Sequence, residues 1–258
     1  MRGGVRIFFI MASFLIASCA GPQRQPSLSE QYSDEIVLAR VNQEPISYQE
    51  WAYAYKQRLN ESKISQEAFL DEYINYKLGA QKAARLHLLN HPYVQYQLEW
   101  SVYDQFLKDQ YRVSRVKDSF EKWKESFVNQ LLGVSNVWIS PEMFTGDLKN
   151  LPGQTVVLRI NGEGITAESY YRLTKQYVKN GSTQERLNNL IQFKVVVSRA
   201  KTLGWFERPE IRVAKEKVLF QMANRVELGG DYLNPKAVKK LYEKERRKAD
   251  VEVYSFGR

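Results

Sequence analysis

Two stretches of the chain share a pattern that predicts the start of a repeated structural unit. Residues 37–47 read VLARVNQEPIS and residues 156–166 read VVLRINGEGIT, so that Arg, Asn, Glu and Ile recur at an offset of 119. Each stretch begins with aliphatic and β-branched residues, which favour a short strand, and continues into a turn. The Asn-Gly pair of the second stretch favours the positive φ angles of a tight hairpin.

The repeat continues downstream at an offset of 117 residues. The matching pairs are Ile74 and Ile191, Lys77 and Lys194, Ala83 and Ala200, Leu86 and Leu203, Pro92 and Pro209, and Glu99 and Glu216. Apolar residues at helical spacing predict three helices after each hairpin. Ser47 and Thr166 are the expected N-caps of the first helices, and Glu50 stands where it would complete a capping box with Ser47.

These patterns predict a mainly α fold of two tandem helical units, each with short opening and closing β-strands. We expect the units to span residues 36–144 and 155–258, joined by a linker at 145–154. The expected closing strands are residues 136–139 and 251–256, and the third helix of the first unit is expected to break near residues 113–116. The sequence leaves open whether each closing strand pairs within its own unit or with the other one.

The N-terminus predicts secretion and lipid attachment. Arg2 and Arg6 accompany an apolar run that is too short to span a bilayer, so residues 1–18 are interpreted as a signal peptide. The run ends in Ala17-Ser18-Cys19, which resembles the bacterial lipobox, in which the cysteine is lipidated and becomes the new N-terminus. Cys19 is the only cysteine of the chain, so one mature chain forms no internal disulfide.

The segment after the lipidation site predicts a tether. Residues 19–35 are rich in Gln, Ser and Pro, a composition typical of flexible linkers. Ala20, rather than Asp, follows the cysteine, and the sorting rule of Gram-negative enterics then favours the outer membrane. We expect a chain that is anchored to that membrane and faces the periplasm, with the covalent lipid on Cys19 as its only cofactor.

The charge balance is basic but mixed. The formal net charge is +9, and acidic residues are interleaved with the basic ones, even in the dense run of residues 239–248. The sequence therefore favours a solvated helix face there and no nucleic-acid partner, and leaves contact with anionic surfaces or acidic client segments open.

Residues typical of catalytic or metal sites are scarce. The only histidines, His87 and His91, stand one helical turn apart without an evident third ligand, so no metal site is predicted. The chain lacks the G-x-S-x-G elbow and the P-loop, and the adjacent Asp71 and Glu72 face different sides of a helix.

The order of strand, turn and three helices resembles the N-terminal chaperone domain of the SurA, PrsA and PpiD group of extracytoplasmic folding factors, once in each unit. The resemblance is carried by Val37–Ser47, Tyr73–Leu78, Ala83, Ala84, His91 and Pro92, and in the second copy by Val156–Thr166, Leu190, Ile191, Ala200 and Pro209. In that family a parvulin prolyl isomerase domain usually follows, and this sequence lacks its histidines and its Gly-rich core. The resemblance therefore implies a chaperone-like binding domain without isomerase activity, and we expect no enzyme.

Two functions are compatible with this resemblance. The first is an ATP-independent holdase for unfolded envelope proteins, with exposed aromatic side chains as contacts. The second is a non-catalytic subunit of an envelope secretion, export or outer-membrane assembly complex. An apolar groove open across both units favours the first, and a patch on one unit favours the second. The candidate peptide contacts are Trp51, Tyr55, Trp100, Tyr103, Phe106, Tyr170 and Tyr171.

Overall fold

The computed structural model describes residues 36–61, 63–145, 147–176 and 182–254. The predicted signal peptide, Cys19 and the tether lie outside the described residues, as does the end of the second closing strand beyond residue 254. Within the described residues the chain is mainly helical with small antiparallel sheets, as the sequence predicted.

The described elements are six short strands and nine helices, joined by turns and 3-10 segments. In chain order they are β1 (Val37–Val41), β2 (Glu44–Ser47), α1 (Tyr48–Leu59), α2 (Gln66–Arg85), α3 (Pro92–Ser114), α4 (Phe120–Val134), β3 (Val137–Ile139), α5 (Glu142–Thr145), β4 (Val156–Ile160), β5 (Glu163–Thr166), α6 (Ala167–Gln176), α7 (Thr183–Thr202), α8 (Pro209–Leu228), α9 (Pro235–Arg246) and β6 (Val251–Val253). The predicted opening strands are confirmed, and the expected break near residues 113–116 falls between α3 and α4.

The N-caps follow the sequence prediction in part. The Ser47 hydroxyl accepts a hydrogen bond from the Glu50 backbone N–H, which confirms it as the cap of α1. The expected role of the Glu50 side chain in a capping box was wrong, because its carboxylate is buried and accepts a hydrogen bond of 2.6 Å from Arg212 of α8. A complete capping box occurs instead at the start of α7, between Ser182 and Glu185.

Both predicted hairpins are present, and their turns use positive φ angles. The turn of the first hairpin is Asn42 (φ 50°) and Gln43 (φ 68°), and that of the second is Asn161 (φ 50°) and Gly162 (φ 88°). Two successive residues with positive φ give the turn the twist that matches antiparallel strands, and asparagine tolerates this conformation better than most residues.

Strand pairing connects the two sequence ranges, 36–144 and 155–258, in a reciprocal way. One sheet has the order β2-β1-β6, so the last described strand of the second range lies beside the opening strand of the first. The other sheet has the order β3-β4-β5, so the closing strand of the first range lies beside the opening strand of the second. Each closing strand therefore pairs with the opening strand of the other range, which the sequence had left open.

The turn asparagines hold the exchanged strands in register. The Asn42 N–H donates to the Asp250 carbonyl at 2.7 Å, and its side-chain oxygen accepts from the Asp250 N–H at 2.9 Å. Asn161 makes the same two bonds with Asn136, at 2.8 and 2.9 Å. One repeated residue therefore forms the turn and also binds the strand that arrives from the other range.

Helices of the two ranges also pack on each other, and two ion pairs join them. Helix α8 packs on α2, while α3 packs on α7. Lys77 of α2 contacts Glu216 of α8 at 2.6 Å, and Lys194 of α7 contacts both carboxylate oxygens of Glu99 of α3, at 2.6 and 2.7 Å. These four residues are two of the pairs that recur at the offset of 117, so the repeated charges meet across the two ranges.

The contact between α2 and α8 is close because α2 has a glycine there. A Cβ on Gly79 would lie 2.7 Å from a ring carbon of Phe220, 2.7 Å from the Tyr242 hydroxyl and 3.0 Å from the Phe220 Cα. The residue at the matching place of α7 is Val196, which is buried in an apolar cluster with Val128 of α4. The two ranges thus fill equivalent places with different side chains.

Gly79→Ala is expected to lower the free energy of unfolding by about 1–3 kcal/mol, because the added methyl group has no room and pushes against the Phe220 backbone. Its displacement of Tyr242 also strains the 2.8 Å bond from the Tyr242 hydroxyl to Asn224. Urea unfolding followed by circular dichroism measures the change.

Gly133→Ala in α4 is the matched control, since nothing lies within 4 Å of a Cβ built there. Alanine favours a helix by up to about 1 kcal/mol over glycine, so this control is expected to be neutral or stabilising. Equal effects of the two substitutions would contradict the close approach of α2 and α8.

Candidate functional site

Three of the aromatic residues that the sequence suggested as peptide contacts lie in the core. Trp51, Phe106 and Tyr170 are exposed by only 3%, 1% and 3%. Trp51 packs beneath the first sheet, Phe106 meets Trp205 edge-on, and Tyr170 belongs to the cluster under the second sheet. A side chain without accessible surface offers no contact area to a partner, so these three are corrected to core residues.

Tyr55 and Tyr171 differ in burial and in their contacts. The Tyr55 ring stacks on Trp51 with centroids 4.9 Å apart, and its hydroxyl donates to the Ile64 carbonyl at 3.0 Å. These contacts make Tyr55 a half-buried part of the cluster beneath the first sheet, which we call the first core cluster and which includes Trp51, Phe69 and Tyr73. Tyr171 is exposed, and its ring meets the edge of Tyr170.

Trp100 and Tyr103 belong to an exposed array of stacked rings, which we call the Trp100 surface. Its members are Tyr96, Trp100 and Tyr103 on one face of α3 and Phe193 on α7. Trp100 is 48% exposed and stacks on Tyr103 at 5.3 Å and on Phe193 at 5.8 Å. Tyr96 contacts Phe193 at 5.7 Å, and Tyr103 contacts it at 5.2 Å.

The four rings of the array differ in burial, from the buried Phe193 to the half-exposed Trp100. Phe193 is buried in the cluster under the second sheet, the same cluster that contains Tyr170. Tyr96 and Tyr103 are half-buried against Phe193. Aromatic rings in offset stacks hold one another in orientation, so Trp100 lies on a packed support. The result is apolar area that is open to solvent and pre-ordered by the core.

Charged groups border the array. The ammonium group of Lys194 lies 5.9 Å from the centre of the Phe193 ring and is held by Glu99. The pKa of Tyr103 is raised, first by burial and then by the nearby carboxylates of Glu121 and Asp104, so its hydroxyl stays protonated at neutral pH. The tyrosine can therefore donate a hydrogen bond at the edge of the apolar surface.

The matching place on α8 carries no such array. At the offset of 117, Lys217 stands in place of Trp100, and Phe220 in place of Tyr103. Phe220 is covered by Tyr242 of α9, whose ring stacks on it at 4.8 Å, and by the edge of Tyr76 at 4.9 Å. Lys217 is half-buried, and desolvation lowers its pKa. The open aromatic surface therefore occurs at one of the two equivalent places.

The two histidines have structural contacts. Nδ1 of His91 accepts a hydrogen bond from the Tyr93 N–H at 3.2 Å and caps α3, while His87 adopts the left-handed conformation before a 3-10 turn. Across the described ranges, no group of three or more His, Cys, Asp and Glu side chains stands close enough to hold a metal ion. Two depressions along α4 are lined mainly by charged and amide side chains.

Sequence reasoning found half of the Trp100 surface. It named Trp100 and Tyr103 and missed Tyr96 and Phe193. Tyr96 precedes Trp100 by about one helical turn, so helical spacing alone predicts that the two side chains lie on the same face of α3. Phe193 is more than 90 residues away along the chain, and its place beside Trp100 depends on the exchange of helices between the two ranges.

The chain matches no known protein family, curated protein or solved structure in the comparisons made. No helix in the described ranges has the length and apolar character needed to cross a membrane.

Trp51→Ala and Trp100→Ala are expected to differ strongly in stability. Removal of a buried tryptophan costs about 3–5 kcal/mol, because a cavity replaces the ring. Removal of the half-exposed Trp100 is expected to cost about 1 kcal/mol or less, since most of its contacts are with rings that keep their own support. Urea unfolding of both variants measures the difference, and a larger loss for Trp100→Ala would contradict the assignment of core and surface.

Proposed function

We propose that the protein is a membrane-anchored, periplasmic, ATP-independent holdase chaperone that binds unfolded envelope proteins. The observation that carries the proposal is the Trp100 surface, an array of aromatic rings that is open to solvent above a packed base. Exposed apolar patches on proteins commonly mark sites of interaction with other molecules.

The chemistry of the surface suits extended, apolar segments. Stacked aromatic rings give broad contact area at a low cost in side-chain entropy, and the tyrosine hydroxyls can bond to the backbone of a bound chain. The rings form an open face, so a long client can enter and leave along its length. Binding and release of this kind need no nucleotide and no catalytic residue.

The reciprocal contacts support the proposal that the chain contains two copies of a SurA-like domain. Equivalent hydrogen bonds recur at the offsets of 119 and 117: the Asn42 amide donates to Gln81, and the Asn161 amide donates to Ser198. In this proposal the duplicated units correspond to residues 36–144 and 155–258 and have exchanged their third helices and closing strands. The sequence carries no parvulin pattern of histidines and a Gly-rich core, so the proposal includes no isomerase activity.

The anchor belongs to the same proposal. A lipid on Cys19, after removal of residues 1–18, would hold the binding surface near the outer membrane through the tether of residues 19–35. Lipid attachment by two or more acyl chains gives stable membrane binding. No metal or other cofactor is part of the proposed mechanism.

A second candidate is a non-catalytic interaction subunit of an envelope complex. It is favoured by the presence of the aromatic array at one of two equivalent places, since one fixed partner needs one patch. The exposed side chains of Val134, Trp138 and Phe144 around the short edge strand β3 offer such a partner additional apolar area. The two candidates differ in whether many unfolded chains bind or one folded protein.

Trp100→Ala is expected to weaken suppression of aggregation several-fold, because it removes the most exposed ring of the array. The purified protein is added in molar excess to a β-barrel outer-membrane protein diluted out of denaturant, and light scattering measures aggregation. The unfolding midpoint of the variant, measured in parallel, separates lost binding from lost folding.

Trp138→Ala is the matched control, because Trp138 is similarly exposed, at 45%, but lies on β3 and is not one of the stacked rings of the array. It is expected to suppress aggregation as well as the parent protein. No suppression by the parent, together with the recovery of one folded partner by crosslinking in cells, would overturn the holdase proposal in favour of the second candidate.

Cys19→Ala is expected to abolish incorporation of labelled palmitate, since no other cysteine can take the lipid. Ser13→Ala, within the predicted signal peptide, is the control and is expected to be lipidated normally. Labelled palmitate in the Cys19→Ala protein would contradict the proposed anchor.

A further inference from the structure

Helix α9 presents a row of cations to solvent. Lys236, Lys240, Lys244 and Arg247 follow one another at spacings of four, four and three residues and are all exposed. Residues at this spacing lie on one face of a helix, and the row is roughly 16 Å long. Within the described ranges, none of the four forms an ion pair with an acidic side chain.

The opposite face of α9 explains why these cations point outward. Tyr242 and Glu245 are buried, and Val238 and Leu241 pack on the first core cluster. The alternation of apolar and basic residues thus orients the helix, because the apolar side must be covered.

The charges that face the protein are neutralised within it. Glu245 pairs with Lys82 at 3.2 Å and with Arg85 at 3.0 Å, both on α2, and Arg246 pairs with Asp71 at 2.7 Å. Residues 235–248 contain seven basic and two acidic side chains, a net charge of +5 in a chain whose total is +9. Much of the excess positive charge is therefore concentrated on the outer face of one helix.

An exposed apolar side chain stands just before the N-cap of α9. Leu233, next to the N-cap Asn234, is 75% exposed. On helices that lie on membrane surfaces, cations bind the headgroups while apolar side chains enter the lipid, and Leu233 is available for such a contact. An acidic polypeptide or a nucleic acid would need the cations alone.

The connection of α9 to the N-terminus brings this face near the tether. Strand β6 follows α9 and pairs with β1, which begins at Val37, two residues after the end of the predicted tether of residues 19–35. A flexible segment of that length has a root-mean-square span of roughly 20–25 Å. A chain held at Cys19 would therefore keep the first sheet, and the helix next to it, within a short distance of the bilayer.

We propose that the outer face of α9 docks on anionic phospholipid headgroups and fixes the orientation of the folded chain on the membrane. The proposal rests on the anchoring at Cys19 that is part of the proposed function, and it adds a second, electrostatic contact to the lipid. Each basic residue near an anionic leaflet strengthens binding about fivefold, so four such residues give a substantial and salt-sensitive contribution.

Flotation with vesicles tests the proposal on the full chain carrying Cys19→Ala, which removes the lipid from the comparison. Binding is expected to vesicles that contain phosphatidylglycerol and to weaken at high salt. The triple variant Lys240→Glu, Lys244→Glu and Arg247→Glu is expected to bind at least about 100-fold more weakly. All variants share the same N-terminus, so its own lipid affinity cancels, and vesicles of phosphatidylcholine alone measure it.

The control is the triple variant Lys56→Glu, Lys117→Glu and Lys122→Glu, which changes the net charge equally at exposed sites on other elements. It is expected to keep most of the binding. Equal loss in both triple variants, no loss in the α9 variant, or binding of the parent to polyglutamate or DNA but not to anionic vesicles would overturn the proposal. None of these outcomes depends on client binding, and suppression of aggregation by the α9 variant tests the holdase proposal separately.

Discussion

The fold depends on the requirement that buried charges be paired. Lys77 and Glu216 lie largely out of water, and removal of Lys77 would leave the Glu216 charge buried without its ion-pair partner, which costs several kcal/mol. Burial raises the pKa of Glu216 above its ordinary value, even though the Lys77 ammonium opposes this. The pair joins α2 to α8, and its repeat, Lys194 with Glu99, joins α7 to α3. Each range thus depends on charges of the other.

Positions that repeat between the two ranges carry different side chains, and these differences are informative. Around the first ion pair, Gly79 admits Tyr242, and Phe220 is covered by that ring. Around the second ion pair, Val196 occupies the position that matches the glycine. Trp100 is exposed to solvent and stacks on Phe193. Sequence positions that repeat at the offset of 117 thus provide a closed, packed place in one range and an exposed aromatic side chain in the other.

The proposed function combines a hydrophobic contact with clients and an electrostatic contact with the membrane. Client binding would use apolar area on α3 and α7, which gains from the release of water and changes little with salt. Membrane contact would use the exposed cations of α9, whose attraction is screened within about 10 Å at moderate ionic strength. Because the two surfaces lie on different helices, each can act without displacing the other's ligand.

The sequence by itself determined the local elements: the hairpins of residues 37–47 and 156–166, the helices after them and the positions that repeat between them. Strand and helix periodicity and turn chemistry act over a few residues, so they can be read along the chain. Only the tertiary structure decided that β6 pairs with β1 and β3 with β4, since short strands carry too little pattern to choose their partner. It also decided that Trp51, Phe106 and Tyr170 are core and that Phe193 lies beside Trp100, because burial depends on which elements pack together.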